Sequence, residues 1–265
     1  MALTAILLIV VAGSIVYCAI TMAAARSYLA SRPTPLSPPG PKPLPGPTEP
    51  RPSGSGPSAP ISVLKPLSGA EDQLETNLRT FFTQTHAAYE ILFAVRSPND
   101  AAVPIVEKLQ VEFPTIPTRL IVTGEPPYPN AKVFSLDHMV SAAQHELLIM
   151  SDSDIRATPE MLSTIAAEFT DPRVGLSSCP YRAVPGRGIW SKLEALGMNT
   201  QFLGGVLAAR LLEGMKFALG PTIAARKPIL EQMAASTSSR ITWPKTSSWA
   251  SSPASWATRS CYLPT

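Results

Sequence analysis

The sequence predicts an α/β domain, a mostly parallel sheet covered by helices on both faces, preceded by one transmembrane helix. Three observations predict it. Short apolar or β-branched runs alternate with stretches of helical spacing beyond Ile61. A proline-rich segment separates that alternation from what precedes it, and residues 1–25 carry no charged side chain.

Leu3 to Met22 is nearly continuous apolar sequence, long enough to span a bilayer core as a helix. A cleaved signal peptide competes, with Ala23-Ala24-Ala25 as its cleavage site, but no basic segment precedes the run and the run exceeds a signal core in length. Residues 1–25 are therefore read as an anchor. Basic residues come only after it (Arg26, Arg32, Lys42, Arg51), so the positive-inside rule puts the rest of the chain in the cytoplasm. From Pro33 to Pro60, 12 of 28 residues are proline, which excludes helix and sheet ladders and makes 26–60 an extended, semi-rigid spacer. Its PxxP steps also fit an SH3-type ligand.

Strands are expected at 61–65, 89–95, 119–122, 146–150 and 174–179, and helices at 71–83, 100–113, 132–144 and 159–169. In a sheet wound this way, ligands bind beyond the carboxyl ends of the strands. That rule singles out Asp100, Lys132 and the pair Asp152 and Asp154. A net charge of +3 is too small to argue for nucleic acid as a partner. Three scattered cysteines (Cys18, Cys179, Cys261), without CxxC or His pairing, argue against a disulfide framework and a zinc site.

The sharpest local signal is Leu147-Leu148-Ile149-Met150-Ser151-Asp152-Ser153-Asp154, a buried strand ending in two carboxylates one residue apart. Period-2 geometry sends both side chains to one side, where they suit a hard divalent cation, with sites left for diphosphate oxygens. The bland alternative is a solvated acidic strand end. Phosphohydrolases that form an aspartyl phosphate also use strand-DxD, but on their first strand and with a small hydroxyl residue following. Here the motif follows the fourth strand and leads into Ile155-Arg156.

Several motifs taken together resemble the ceramide glucosyltransferase family and its bacterial hopanoid-associated relatives. They are Val63-Leu64-Lys65-Pro66-Leu67-Ser68-Gly69, Asn77-Leu78-Arg79-Thr80-Phe81-Phe82, Tyr89-Glu90-Ile91-Leu92 leading to Asn99-Asp100, and Asn130-Ala131-Lys132. Asp152-Ser153-Asp154-Ile155-Arg156, Pro180-Tyr181 and Gly220 to Arg226-Lys227 continue the agreement, in order and spacing, to about residue 233. The resemblance implies a GT-A nucleotide-diphospho-sugar fold over 61–233. It implies that Asp100 contacts the nucleotide, that Asp152 and Asp154 hold the metal (Mg or Mn) with Asp152 also at the donor, and that Lys132 neutralises diphosphate charge. On their own, Asp100 also suits a helix N-cap and Lys132 a solvated helix start. Pro180-Tyr181 and Gly220 are structural or acceptor-side, while His86, His138 and His145 match nothing in the family.

The resemblance also calls for a Gly-Gly-Phe…Ala-Glu-Asp segment, whose Asp looks like the general base, and a later QxxRW motif. Residues 234–265, rich in Ser, Thr, Trp and Pro without period, carry neither and are expected to be a disordered tail. Read one base back, codons compatible with Ile241 to Trp249 give DYLAEDFVL, and those for Met233-Ala234-Ala235-Ser236 give Gly-Gly-Phe. A one-base deletion close to Met233, leaving the C-terminus out of frame and cut short, is therefore expected.

An intact relative is then expected to transfer a sugar, with inversion, from a UDP-sugar to a membrane-lipid hydroxyl. The chain as written is expected to be impaired, lacking the base. The non-enzyme alternative is a membrane-tethered nucleotide-sugar-binding module without turnover.

Overall fold

A computed structural model describes residues 2–30, 59–214, 217–236 and 257–260. The chain divides into two compact units, Met1–Glu49 with Tyr181–Lys216, and Pro50–Pro180 with Phe217–Thr265. The continuous 61–233 domain expected from the sequence is thus interrupted by an excursion of the chain into the first unit.

In the first unit α1 runs from Ala2 to Ala30 as one helix, long and apolar enough to cross a membrane. It continues past the expected anchor boundary, so residues 26–30 are helical and not spacer. The proline-rich stretch 31–58 lies outside the described residues. The later segment forms a run of helix, α6 (Ile189–Gly197), a π-helical turn (Met198–Phe202) and α7 (Leu203–Glu213).

The second unit is the α/β domain. Its strands are β1 (Ile61–Pro66), β2 (Tyr89–Val95), β3 (Thr118–Val122), β4 (Leu147–Ser151), β5 (Val174–Ser178), β6 (Thr222–Arg226) and β7 (Ala257–Ser260), in the order β3-β2-β1-β4-β6-β5-β7. Strands β1, β2, β3 and β4 pair in parallel, as their alternation with helices requires. Strand β6 is antiparallel to both neighbours, so the sheet is mixed and β5 is not adjacent to β4. The sequence pattern missed β6 because Thr222-Ile223-Ala224-Ala225-Arg226 holds one β-branched apolar residue between small ones. Two elements fall in the segment 234–265: the end of α8 (Lys227–Ser236), and β7, parallel to β5. The remainder of that segment lies outside the described residues.

The helices of this unit are α2 (Leu74–Phe82), α3 (Val103–Glu112), α4 (Ala131–Ala142) and α5 (Met161–Glu168), together with α8. Strand alternation divides the core in two. Ile61, Val63, Ile91, Phe93, Leu147 and Ile149 pack with Leu78 and Phe81 of α2, Val106 and Leu109 of α3 and Ile165 of α5. Leu64, Leu92, Leu148 and Met150 meet Leu136 and Met139 of α4 and Leu230 of α8. Asn130 caps α4 by accepting the Val133 N–H at 3.2 Å, which fixes Lys132 in the first turn of that helix. Arg226 holds the far side of the sheet through the carbonyls of Phe169 and Val174.

Candidate functional site

The winding of the sheet reverses beside β1. The chain moves from β1 outward through β2 to β3, then returns to place β4 on the other flank of β1. Such a reversal leaves a crevice above the carboxyl ends of the strands. The crevice is present, with a volume of about 340 Å³. Each parallel strand contributes residues at or just past its end: Pro66, the last residue of β1, with Leu67 and Ser68 after it, Arg96 after β2, Thr123 and Gly124 after β3, and Asp152, Ser153 and Asp154 after β4. Lys132, at the start of α4, closes one side.

Asp152 and Asp154 reach this crevice by a route other than strand alternation. Strand β4 stops at Ser151, and the main chain then turns, with Ile155 N–H donating to the Asp152 carbonyl at 3.2 Å. Asp152 N–H in turn donates to the Pro221 carbonyl at 2.9 Å, so the residue leading into β6 fixes the turn from the opposite flank. The side-chain directions are therefore set by a turn, and the period-2 argument does not apply to them. Lys132 Nζ donates to Asp152 Oδ1 at 2.5 Å, which joins two of the sequence-selected residues directly.

Asp100 stands apart from these three. It does not line the crevice. Its carboxylate accepts the Gly69 N–H at 3.0 and 3.2 Å and the Ala102 N–H at 2.9 Å, tying the loop after β1 to the turn that starts α3. The bond from Ala102 N–H makes an Asx turn just ahead of α3, whose own N-cap is Ala102.

Sequence reasoning passed over Lys65 as a functional residue. It ends the buried part of β1, is fully buried, and donates to the Asp152 carbonyl while its ammonium sits 3.9 Å from the centre of the Phe81 ring. Burial pushes its pKa down to about 7, against the pull of Asp152 and Asp154. A lysine inside an apolar strand was the available signal, since an unpaired ammonium is not tolerated there. Arg96 and Thr123 were also missed. Both directly follow strands, and the strand-end rule that selected Asp100 covers them equally.

Among the described residues no three His, Cys, Asp or Glu side chains converge as a ready metal cage. The donor set at Asp152 and Asp154 nonetheless fits a hard divalent cation that keeps other oxygen ligands, because both carboxylates open on the crevice and neither is buried. Arg96 and Lys132 add positive charge on the same walls. The arrangement suits a polyanion bridged to the protein by a cation and by basic side chains.

The architecture is that of the GT-A nucleotide-sugar transferases. A mannosyltransferase from Pyrobaculum calidifontis, solved in complex with GDP-Man and Mn2+, superposes with a TM-score of 0.54 at 15% identity, over 86% of this chain and 61% of that one. Residues 6–234 match the family model of Glycosyl transferase family 21, and the chain belongs to that family. Ceramide glucosyltransferase 1 of Caenorhabditis elegans is 34% identical over 123 residues, 46% of this chain and 26% of that protein. Ceramide glucosyltransferase of Candida albicans is 28% identical over 114 residues, 38% of this chain and 21% of its own length. The matching segments thus span about a quarter of these curated relatives.

Proposed function

We propose that this chain carries the donor-binding half of a hexosyltransferase that moves a sugar from a UDP-sugar to a membrane-lipid hydroxyl, of ceramide or hopanoid type. The observation that carries the proposal is the crevice in which Lys132, Asp152 and Asp154 meet beyond the parallel strands. Family membership and the names of the curated relatives support the substrate class. Asp152 and Asp154 would hold a Mg or Mn ion, which when bound supplies positive charge to the departing diphosphate. Lys132, half exposed and attached to α4, is placed to give its ammonium to diphosphate oxygens once Asp152 has another partner. Arg96 presents a second cation from the end of β2. Lys65 holds the Asp152 main chain so that the turn keeps its shape while charge on the ligand changes. Helix α1 would keep the crevice on the cytoplasmic side, close to the bilayer that supplies the acceptor.

After Arg226-Lys227, where the resemblance calls for it, the frame as written carries no Gly-Gly-Phe…Ala-Glu-Asp segment, and a missing general base lowers turnover by about 10²–10⁴-fold. The match to the family ends at residue 234, one residue beyond Met233, where the shifted frame begins to spell Gly-Gly-Phe. That coincidence supports a lost base in the encoding DNA, and it favours a second reading in which this product binds nucleotide-sugar without transferring it.

The test is calorimetry of the purified chain with UDP in the presence and absence of Mn2+, alongside a transfer assay with radiolabelled UDP-glucose and ceramide. Metal-dependent UDP binding that Asp152→Ala and Asp154→Ala abolish is the expected result. Absence of UDP binding with or without metal overturns the proposal, while binding without transfer selects the second reading.

A further inference from the structure

The first unit contains a surface that the crevice does not use. Helix α6 exposes Ile189 at 65%, Trp190 at 80%, Leu193 at 51% and Leu196 at 60%, and its buried residue, Ala195, points the other way. Residues at i, i+1, i+4 and i+7 form one face. Lys192 and Glu194 lie on its flanks, and Arg187 immediately precedes the helix. An apolar face of this size with a charged rim marks a surface that is covered in use.

What covers it follows from the neighbouring helix. Three contacts align α1 with the π-helical turn and α7 in one direction: Tyr17 donates to the Gln201 carbonyl at 3.4 Å, Thr21 lies against Gly204, and the Arg210 guanidinium sits 5.3 Å from the centre of the Tyr28 ring. The two helices are therefore parallel and in register. A Cβ at Gly204 would stand in ordinary van der Waals contact with Thr21, at 3.5 Å, so the two helices pack closely there. Tyr17 lies nine residues before Arg26, the first charged side chain of the sequence, or about 13 Å along a helix. If α1 spans a bilayer, Gln201 and Gly204 lie at hydrocarbon depth beside it. The sequence agrees, because Ala195 to Ala209 carries no charge.

We infer that Ile189–Glu213 is a second membrane-embedded element beside α1, with the Ile189, Trp190, Leu193 and Leu196 face of α6 against lipid acyl chains. The inference rests on α1 being a membrane helix and not on the transfer reaction. It gives the chain two membrane attachments, α1 and the run from α6 to α7.

The full chain, reconstituted in phosphatidylcholine–phosphatidylglycerol vesicles with brominated acyl chains, tests it by tryptophan fluorescence. Trp190→Phe, at an exposed position, is expected to remove the lipid-quenched component of the emission. Leu8→Trp in the Trp190→Phe background reports on α1. If Leu8→Trp is quenched by lipid and Trp190 is not, the inference falls and the anchor stands. If neither is quenched, both fall. If Trp190 is shielded from lipid and from aqueous iodide alike, a second copy of the chain covers the face and the inference is again overturned.

Discussion

The buried ammonium of Lys65 donates to the main-chain carbonyl of Asp152, so β1 grips the turn that carries both crevice carboxylates. The bond is main-chain directed and leaves the Asp152 carboxylate to Lys132 or to a ligand. Burial works against the lysine charge, and the Phe81 ring face and the acidic turn work for it.

Lys65→Met removes the grip and also an expensive buried charge. The substitution is expected to leave the melting temperature unchanged or raised while metal-dependent UDP affinity falls roughly tenfold, about 1.4 kcal/mol. Scanning calorimetry and titration calorimetry on the same preparation separate the two effects. A parallel loss of stability and affinity would mean that Lys65 serves the core alone.

On the proposed function Lys132 contributes to phosphate binding and not to base recognition. Lys132→Met is expected to weaken UDP binding about tenfold and to leave uridine binding unaltered, since one charge-assisted contact is lost. Competition titrations with the two ligands measure the difference. Equal losses for both would place the lysine in a structural role.

Stability at low pH depends on Glu90. This carboxylate is buried on β2, and burial alone would raise its pKa. Hydrogen bonds from Ser62 at 2.6 Å, from the Gln144 N–H at 2.7 Å and from Arg119 at 2.8 Å outweigh burial and hold it below the ordinary 4.5. A depressed carboxylate adds stability that is complete above the unfolded value and declines as pH falls through the folded one. Glu90→Gln is therefore expected to cost about 1–3 kcal/mol at neutral pH and to flatten the acid limb of the stability profile. Urea titrations from pH 7 down to pH 3 measure both.

Restoring the reading frame next to Met233 is expected to bring back transfer activity. A gene with one base inserted there, and the downstream DNA included, should encode Gly-Gly-Phe…Ala-Glu-Asp followed by QxxRW. Sequencing some 400 bases beyond codon 265, counted roughly as the length of chain between such motifs and the sheet they close, decides it before any assay. DNA that reads through the tail with no such motif in any frame removes the explanation.

Five strands and four helices of the second unit were legible because short continuous apolar runs give way abruptly to helical spacing, as from β4 to α5. Strand β6 was not, because its stability comes from lying between β4 and β5 and not from its own alanines. That Asp152 and Asp154 open on the crevice was legible from their place directly after β4, while Lys132 reaches the same crevice from the start of α4. Asp100 obeyed the same rule, yet turned its carboxylate to Gly69 and Ala102, a local hydrogen-bonding choice that spacing does not encode. Helices α6 and α7 passed unseen as a unit, since their exposed apolar face has meaning only beside α1.

The place of β6 also sets an order of assembly. Strand β4, with Leu147-Leu148-Ile149-Met150 along it, has β1 on one side and needs β6 on the other. During synthesis some seventy residues, counted roughly from β4 to β6 and emerging at about 5–20 residues per second, must leave the ribosome before that partner arrives. For several seconds the nascent chain presents an apolar, unpaired strand edge while the 181–216 excursion is being made. Holdase chaperones are the natural cover for that interval. A fragment ending anywhere between Ile155 and Thr222 would make the interval permanent, so a soluble sub-domain for binding work has to extend beyond Arg226.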